Sequence, residues 1–166
     1  FQAEDGRRDR SPSRGLGDVY KRQVHTHQHQ IYLDAQAAAG RTRADYRLVS
    51  GPLAVHVAPT RDQAWDEAEA GLHEWVAFYR RRGIPMPLPE LGTMREDPNA
   101  GIFGTPFAVG TPDEVMATLA GYRDLPMDQL VLQFNHMGMP HEQVAASMRL
   151  FSAELLPEIT GWPTGA

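Results

Sequence analysis

The run Gln129–Phe134 (QLVLQF) is apolar except at Gln129 and Gln133, and Asn135 and His136 follow it directly. Along an extended chain Leu130, Leu132 and Phe134 share one face, and Val131, Gln133 and Asn135 share the other. Gln133 and Asn135 therefore set amides where packing alone would prefer aliphatic groups, and an amide can both donate to and accept from a bound molecule. His136 could move a proton or bind a substrate oxygen. The plainer alternative is that Gln133 satisfies backbone groups while Asn135 and His136 begin a polar loop. Thr111-Pro112-Asp113-Glu114 is a capping box, and the N–H groups of a helix started there could meet a phosphate. Capping alone already explains those residue types. His25, His27 and His29 alternate, so a strand would put all three on one face, as a zinc ion requires. No acid or further histidine follows at a suitable spacing, and a helix would split the three, so no metal is expected. His56, inside an apolar run, reads as a satisfied interior histidine.

Composition narrows the chemistry. The 166 residues contain no cysteine, which excludes a disulfide scaffold, a thiolate metal site and a cysteine nucleophile. A net charge of −5 leaves no footprint for nucleic acid. No apolar run approaches the roughly 18–20 residues needed to span a bilayer, and the first residues are polar rather than signal-like. The expectation is a soluble, cytoplasmic chain without membrane or nucleic-acid partners.

The elements that must position these residues alternate between helix and strand. A helix is expected over Gln28–Ala39, with Ile31, Ala35 and Ala38 on one face and Gly40 as its stop. Leu53–Ala58 (LAVHVA) reads as a strand buried on both faces, bounded by Gly51-Pro52 and Pro59. Thr60 with Gln63 caps a helix running to about Arg82, whose apolar stripe is Trp65, Ala68, Leu72, Val76 and Tyr79; Asp62, Asp66, Glu69 and Glu74 lie off it. From Ile84 to Val109 five prolines and several glycines predict a long loop with one short strand at Phe107–Val109. Thr111 opens the next helix, with Val115, Leu119 and Tyr122 inward. Gln129–Phe134 is a second buried strand. A last helix follows Pro140, with Val144, Met148, Phe151 and Leu155 at helical spacing, and stops near Pro157; residues 161–166 form a tail. Doubly buried strands joined by helices imply a parallel sheet, and two or three such strands belong to something larger.

The opening residues are of a different kind. The only lysine of the chain is Lys21, and residues 1–23 carry six basic and four acidic side chains with no amphipathic period. QAEDGRRD (Gln2–Asp9) followed by SRGLGDVYKRQ (Ser13–Gln23) resembles a translated sequencing-library adapter, flow-cell primer first and transposon end second. On that reading residues 1–23 are non-native, Val24 is an arbitrary entry point into a longer protein, and the net charge of residues 24–166 is −7.

Residues 110–159, from GTPDEV through QLVLQFNH to LFSAELLPEI, resemble the C-terminal end of the luciferase-like flavin-dependent monooxygenases, with their G-[ST]-P-E-x-V helix start, polar-ended strand and closing helix. LAVHVAPTRDQAWDEAEAGLHEWVAFY and AQAAAGR (Ala35–Arg41) resemble the family's penultimate strand, the helix after it and the helix before it. The resemblance implies an α/β fold, the C-terminal part of a (β/α)8 TIM barrel. Such a barrel needs roughly 250 residues, so residues 24–160 would be an incomplete portion of one. It implies reduced flavin mononucleotide (FMN), or in some branches a deazaflavin, used with oxygen or for hydride transfer on a small organic substrate. A flavin reductase partner and a homo-oligomeric parent are implied as well. Barrel sites lie at the carboxyl ends of the strands, which makes Gln133, Asn135 and Thr111 the expected flavin contacts and His136 the expected catalytic group. Most flavin-holding loops of the family follow earlier strands, so the chain alone is expected to bind flavin weakly or not at all.

Overall fold

The computed structural model describes residues 27, 29–85, 88, 90–96, 101–102, 105–125 and 127–162. The adapter-like segment, His25 and the tail beyond Trp162 lie outside the described residues. The elements in order are a helix over residues 29–38 (α1), β1 (Val49–Val57), α2 (Arg61–Arg81), the short strands β2 (Gly101–Ile102) and β3 (Thr105–Pro106), β4 (Ala108–Gly110), α3 (Pro112–Leu119), β5 (Gln129–Gln133), α4 (His141–Glu154) and α5 (Leu156–Ile159).

Three strands make a parallel sheet in the order β4-β1-β5, while β2 and β3 pair antiparallel inside the expected loop. Helices cover both faces. Ala54 of β1, Ala58 just after it and Val109 of β4 pack with Ala64, Trp65, Ala68, Leu72 and Val76 of α2. The alternate residues Leu53, Val55 and Val57 pack with Val115 and Leu119 of α3 and Phe151 of α4. The result is a mixed α/β fold in three layers, with the carboxyl half of β1 at its centre. In a barrel, consecutive strands are neighbours. Here β5 stands beside β1 and not beside β4, so β1 has a neighbour on each edge.

Several expectations need correction. β1 does not begin at Leu53: it runs through Gly51-Pro52, where the register with β5 shifts, so the proline's missing N–H falls at a break in the ladder. Gly51 has φ +123°, and a Cβ there would sit 2.5 Å from the Val131 carbonyl oxygen, so only glycine lets the strands approach. Ile31, Ala35 and Ala38, the expected inward face of α1, are exposed. Met148 is exposed too, and the core-facing place on α4 is taken by Ser147. Glu69, expected off the stripe of α2, is buried, because its Oε1 accepts from the backbone N–H groups of Gly92 (3.1 Å) and Met94 (2.8 Å) and so folds the proline-rich loop onto the helix. α4 ends at Glu154, near Pro157 as expected, but Pro157 itself sits in the first turn of the short α5, where its missing N–H costs nothing.

Candidate functional site

β5 ends opposite Ala54, while β1 continues three residues further to Val57. On that side β1 would be left with unpaired backbone groups deep in the core, each costly if unsatisfied. Two side chains that follow β5 in sequence supply the partners. His136 places Nε2 3.2 Å from the Val55 carbonyl oxygen, and the Val57 N–H donates to Ser147 Oγ at 2.8 Å. His136 and Ser147 are each 1% exposed. They continue the hydrogen-bond ladder where the strand runs out.

His136 thus points into the core from a loop whose neighbours Asn135 and Met137 are exposed. Its ring stacks on Trp75 with centroids 6.2 Å apart and planes at 25°. Gly71 of α2 makes room for it: a Cβ there would meet the Met137 carbonyl at 2.7 Å and the His136 Cβ at 3.0 Å. Burial lowers the His136 pKa to about 4; the nearby His56 pushes the same way, and the bond to Val55 opposes them. The ring is neutral, and a carbonyl partner at Nε2 assigns the proton to that nitrogen. Nδ1 is buried with no hydrogen-bond partner.

His56, fully buried on β1, has Nε2 2.7 Å from Glu67 Oε2, and Gln63 Nε2 donates to Glu67 Oε1 at 2.8 Å. The expectation of a satisfied interior histidine holds for Nε2, whereas its Nδ1 is buried and unpartnered. Trp65 Nε1 is in the same condition. Sequence reading missed Ser147 and Glu69, since a single serine or glutamate on a helix carries no signal of the backbone group it will meet.

The other expected site residues sit differently. Gln133 is half-buried, and its Nε2 donates to the Asn135 carbonyl oxygen at 3.1 Å, which ties down the turn it precedes. Asn135 is exposed. Thr111 caps α3: its N–H donates to Glu114 Oε2 at 3.0 Å, and the Glu114 N–H donates to Thr111 Oγ1 at 3.4 Å. Arg61 Nη1 reaches Glu114 Oε1 at 2.8 Å. Burial raises the Glu114 carboxyl, but the Thr111 N–H, Arg61 and the Thr111 hydroxyl outweigh it and hold the group below its ordinary value. The N-terminus of α3 therefore already holds a carboxylate. Gln133 and Asn135 are joined at the end of β5 while His136 turns into the core, and among the described residues no hydrogen bond or ion pair joins Thr111 to them.

Among the described residues no group of three or more His, Cys, Asp or Glu side chains is placed to hold a metal ion. His29, in α1, has its pKa lowered by burial. No described helix is long and apolar enough to cross a membrane.

These features define a three-layer α/β protein with a small parallel sheet whose carboxyl edge is completed by side chains. No family model and no curated protein matches the chain. Its fold is similar to that of the monooxygenase RslO1 from Streptomyces bottropensis, with a TM-score of 0.53 and 24% sequence identity over 82% of this chain and 38% of that one. The chain thus spans well under half the length of that protein.

Proposed function

We propose that the chain is the C-terminal portion of a luciferase-like (β/α)8 barrel, a flavin-dependent monooxygenase that acts on a small organic substrate with reduced FMN and oxygen. The observation that carries this reading is the likeness to a monooxygenase fold, which extends over 82% of this chain but 38% of that one. The motifs of residues 110–159 support it independently. In a complete barrel β5 would stand beside β4, and the remaining strands would come from a segment preceding Val24. A deazaflavin in place of FMN is the variant of this reading that keeps the same fold. A reductase that supplies reduced flavin, a homo-oligomeric parent and a cytoplasmic location belong to the same proposal.

The residues present fit a flavin only in part. Gln133 and Asn135 offer amides at the open end of β5 that suit a ring carbonyl. Thr111 does not fit a phosphate, since its hydroxyl and N–H are committed to Glu114, whose carboxylate would repel one. His136 is sealed in the core and is assigned no proton transfer. Reduced flavin, when bound, would supply the electron pair that oxygen accepts. The protein's part in that chemistry falls to residues other than these.

Genomic DNA read across the Gln23–Val24 junction tests the reading. A frame that continues upstream for another half barrel is the expected result, and co-expression of that half should then give a complex that binds FMN and consumes oxygen when the flavin is reduced. A start codon beside Val24 would sink it. One observation favours a rival, a self-contained α/β binding module: the two core clusters close on both faces of the sheet without further strands. Cooperative unfolding of residues 24–166 alone, with no flavin bound by any longer form, would select that rival.

A further inference from the structure

Two buried imidazoles share the space between β1 and α2. His56 reaches from β1 to Glu67, and His136 bonds the carbonyl of Val55, the residue just before His56. Three residues of α2 meet the pair. Glu67 bonds His56, Gly71 lies against the His136 Cβ, and Trp75 stacks on the His136 ring. Residues four apart are neighbours on a helix surface, so Glu67, Gly71 and Trp75 form one row. The two rings are therefore neighbours along one helix face. His56 is 0% and His136 1% exposed, so both are closed off from any further strand or segment.

The proton positions follow from the partners. A carbonyl oxygen can only accept, which assigns the His136 proton to Nε2. A carboxylate oxygen accepts in the same way, so the His56 proton is on Nε2 as well. An imidazole with its proton on Nε2 carries a bare lone pair at Nδ1. Neither Nδ1 has a hydrogen-bond partner among the described residues. Two acceptors cannot satisfy each other, and turning either ring over would withdraw Nε2 from the partner it has.

The pair needs a donor with two hydrogens to give. The side chains around it, among them Ala54, Ala68, Leu72 and Val76, are apolar and supply none. Water is small enough for a packed core and has two hydrogens, and internal waters typically make two to four hydrogen bonds to buried polar groups. We propose that one water molecule is bound between β1 and α2, donating one hydrogen to His56 Nδ1 and the other to His136 Nδ1. A metal ion would need further ligands, and among the described residues no group of three or more His, Cys, Asp or Glu side chains is placed to provide them. The bound water fixes both rings as Nε2–H tautomers and ties β1 to the loop that follows β5.

Nuclear magnetic resonance on the full chain tests the site. With 15N-labelled histidine, His56 and His136 should each show a proton on Nε2 and an unprotonated, hydrogen-bonded Nδ1. The Hε1 proton, which neighbours Nδ1, should show cross-relaxation to a long-lived water in both rings. Oxygen-17 relaxation dispersion counts waters held inside a protein, and that count should fall by one in His136→Phe, which keeps an aromatic ring against Trp75. The water signal at His56 should vanish in the same variant, because a water left with a single partner is not retained. If His136→Phe does not fold, the spectra of the unaltered chain decide alone. An Nδ1 proton on either ring, cross-relaxation at only one of them, or a water signal at His56 that survives in His136→Phe would each overturn the proposal. Stoichiometric binding of added zinc by both rings would overturn it as well, by making the site a metal centre.

Discussion

β1 and β5 run side by side and are built from the same kinds of residue, yet they do different work. β1 is central: from Leu53 to Val57 every residue is buried, on one face against α2 and on the other against α3 and α4. β5 is an edge strand whose residues are half-buried or exposed, with only the face of Leu130 and Leu132 turned to the core. An apolar run says that a strand will bury itself. It does not say how many of its sides will be covered, because that depends on which neighbours the topology supplies. The short reach of β5 leaves β1 with unpaired backbone groups, and His136 and Ser147 close them. A central strand can thus be stabilised by polar residues that belong to its neighbour's loop and following helix.

Truncation at matched positions should break the symmetry most. Leu53→Ala, at a site 1% exposed, should cost about 3–4 kcal/mol, because the cavity it leaves is enclosed on all sides. Leu130→Ala, half-buried on β5, should cost about 1–2 kcal/mol, since solvent and mobile neighbours can fill the gap. Urea melts with an unchanged slope would measure the difference. Equal costs would mean that β5 is as enclosed as β1, and the central-versus-edge distinction would be lost.

Acid should come next. His136 is neutral in the folded chain, with a pKa of about 4 against an ordinary 6.5, so between those values the unfolded chain takes up a proton that the folded chain refuses. The stability that depends on a neutral ring is complete above pH 6.5 and declines as the pH falls toward 4, by roughly 3 kcal/mol at about 1.4 kcal/mol for each pH unit, because burial penalises the charged ring. A charged ring would also face His56 across the core, with Glu67 already committed to His56, and would find no acceptor for its Nδ1–H among the described residues. His136→Asn should lower stability at neutral pH and flatten the slope between pH 6.5 and 4. A slope that persists in that variant would place the acid-sensitive group elsewhere.

Ser147→Ala should cost about 1–3 kcal/mol, the penalty for a buried N–H left without its acceptor, here that of Val57. Ser147→Thr, which keeps a hydroxyl, should recover part of the loss where the added methyl can be packed. If the alanine variant were neutral, Val57 would be finding another acceptor, and the account of the extended ladder would need revision.

How much of this was legible in the sequence follows from the range of the signals involved. α2 and α3 were readable because Thr60, Thr111 and Glu114 act on residues three positions away, and the inward Val115, Leu119 and Tyr122 repeat at helical spacing. The parallel character of the sheet was readable from its apolar strands. Strand order was not, since nothing within Gln129–Gln133 states whether its neighbour will be β1 or β4. Burial of Glu69 and Ser147 was hidden for the same reason: their partners, Met94 and Val57, lie 25 and 90 residues away. His136 was singled out as a catalytic candidate, with a polar loop as the plainer alternative, and its role in the core was hidden because its acceptor, the Val55 carbonyl, is 81 residues distant.

The smallest effect is the most informative about chemistry. Gln133 donates one exposed hydrogen bond to the Asn135 carbonyl, and Asn135 is open to solvent, so neither contributes much to packing. Gln133→Ala and Asn135→Ala should each change stability by less than about 0.5 kcal/mol, as surface substitutions do. His136→Asn, by contrast, is expected to be destabilising. In the proposed complete barrel, the two alanine variants should weaken flavin or substrate binding while the melting temperature stays constant, because their amides are free to meet a ligand. Loss of stability in either would assign it a structural role like that of His136. Unchanged binding would leave the open end of β5 without a chemical task and would move the search for the site to residues upstream of β1.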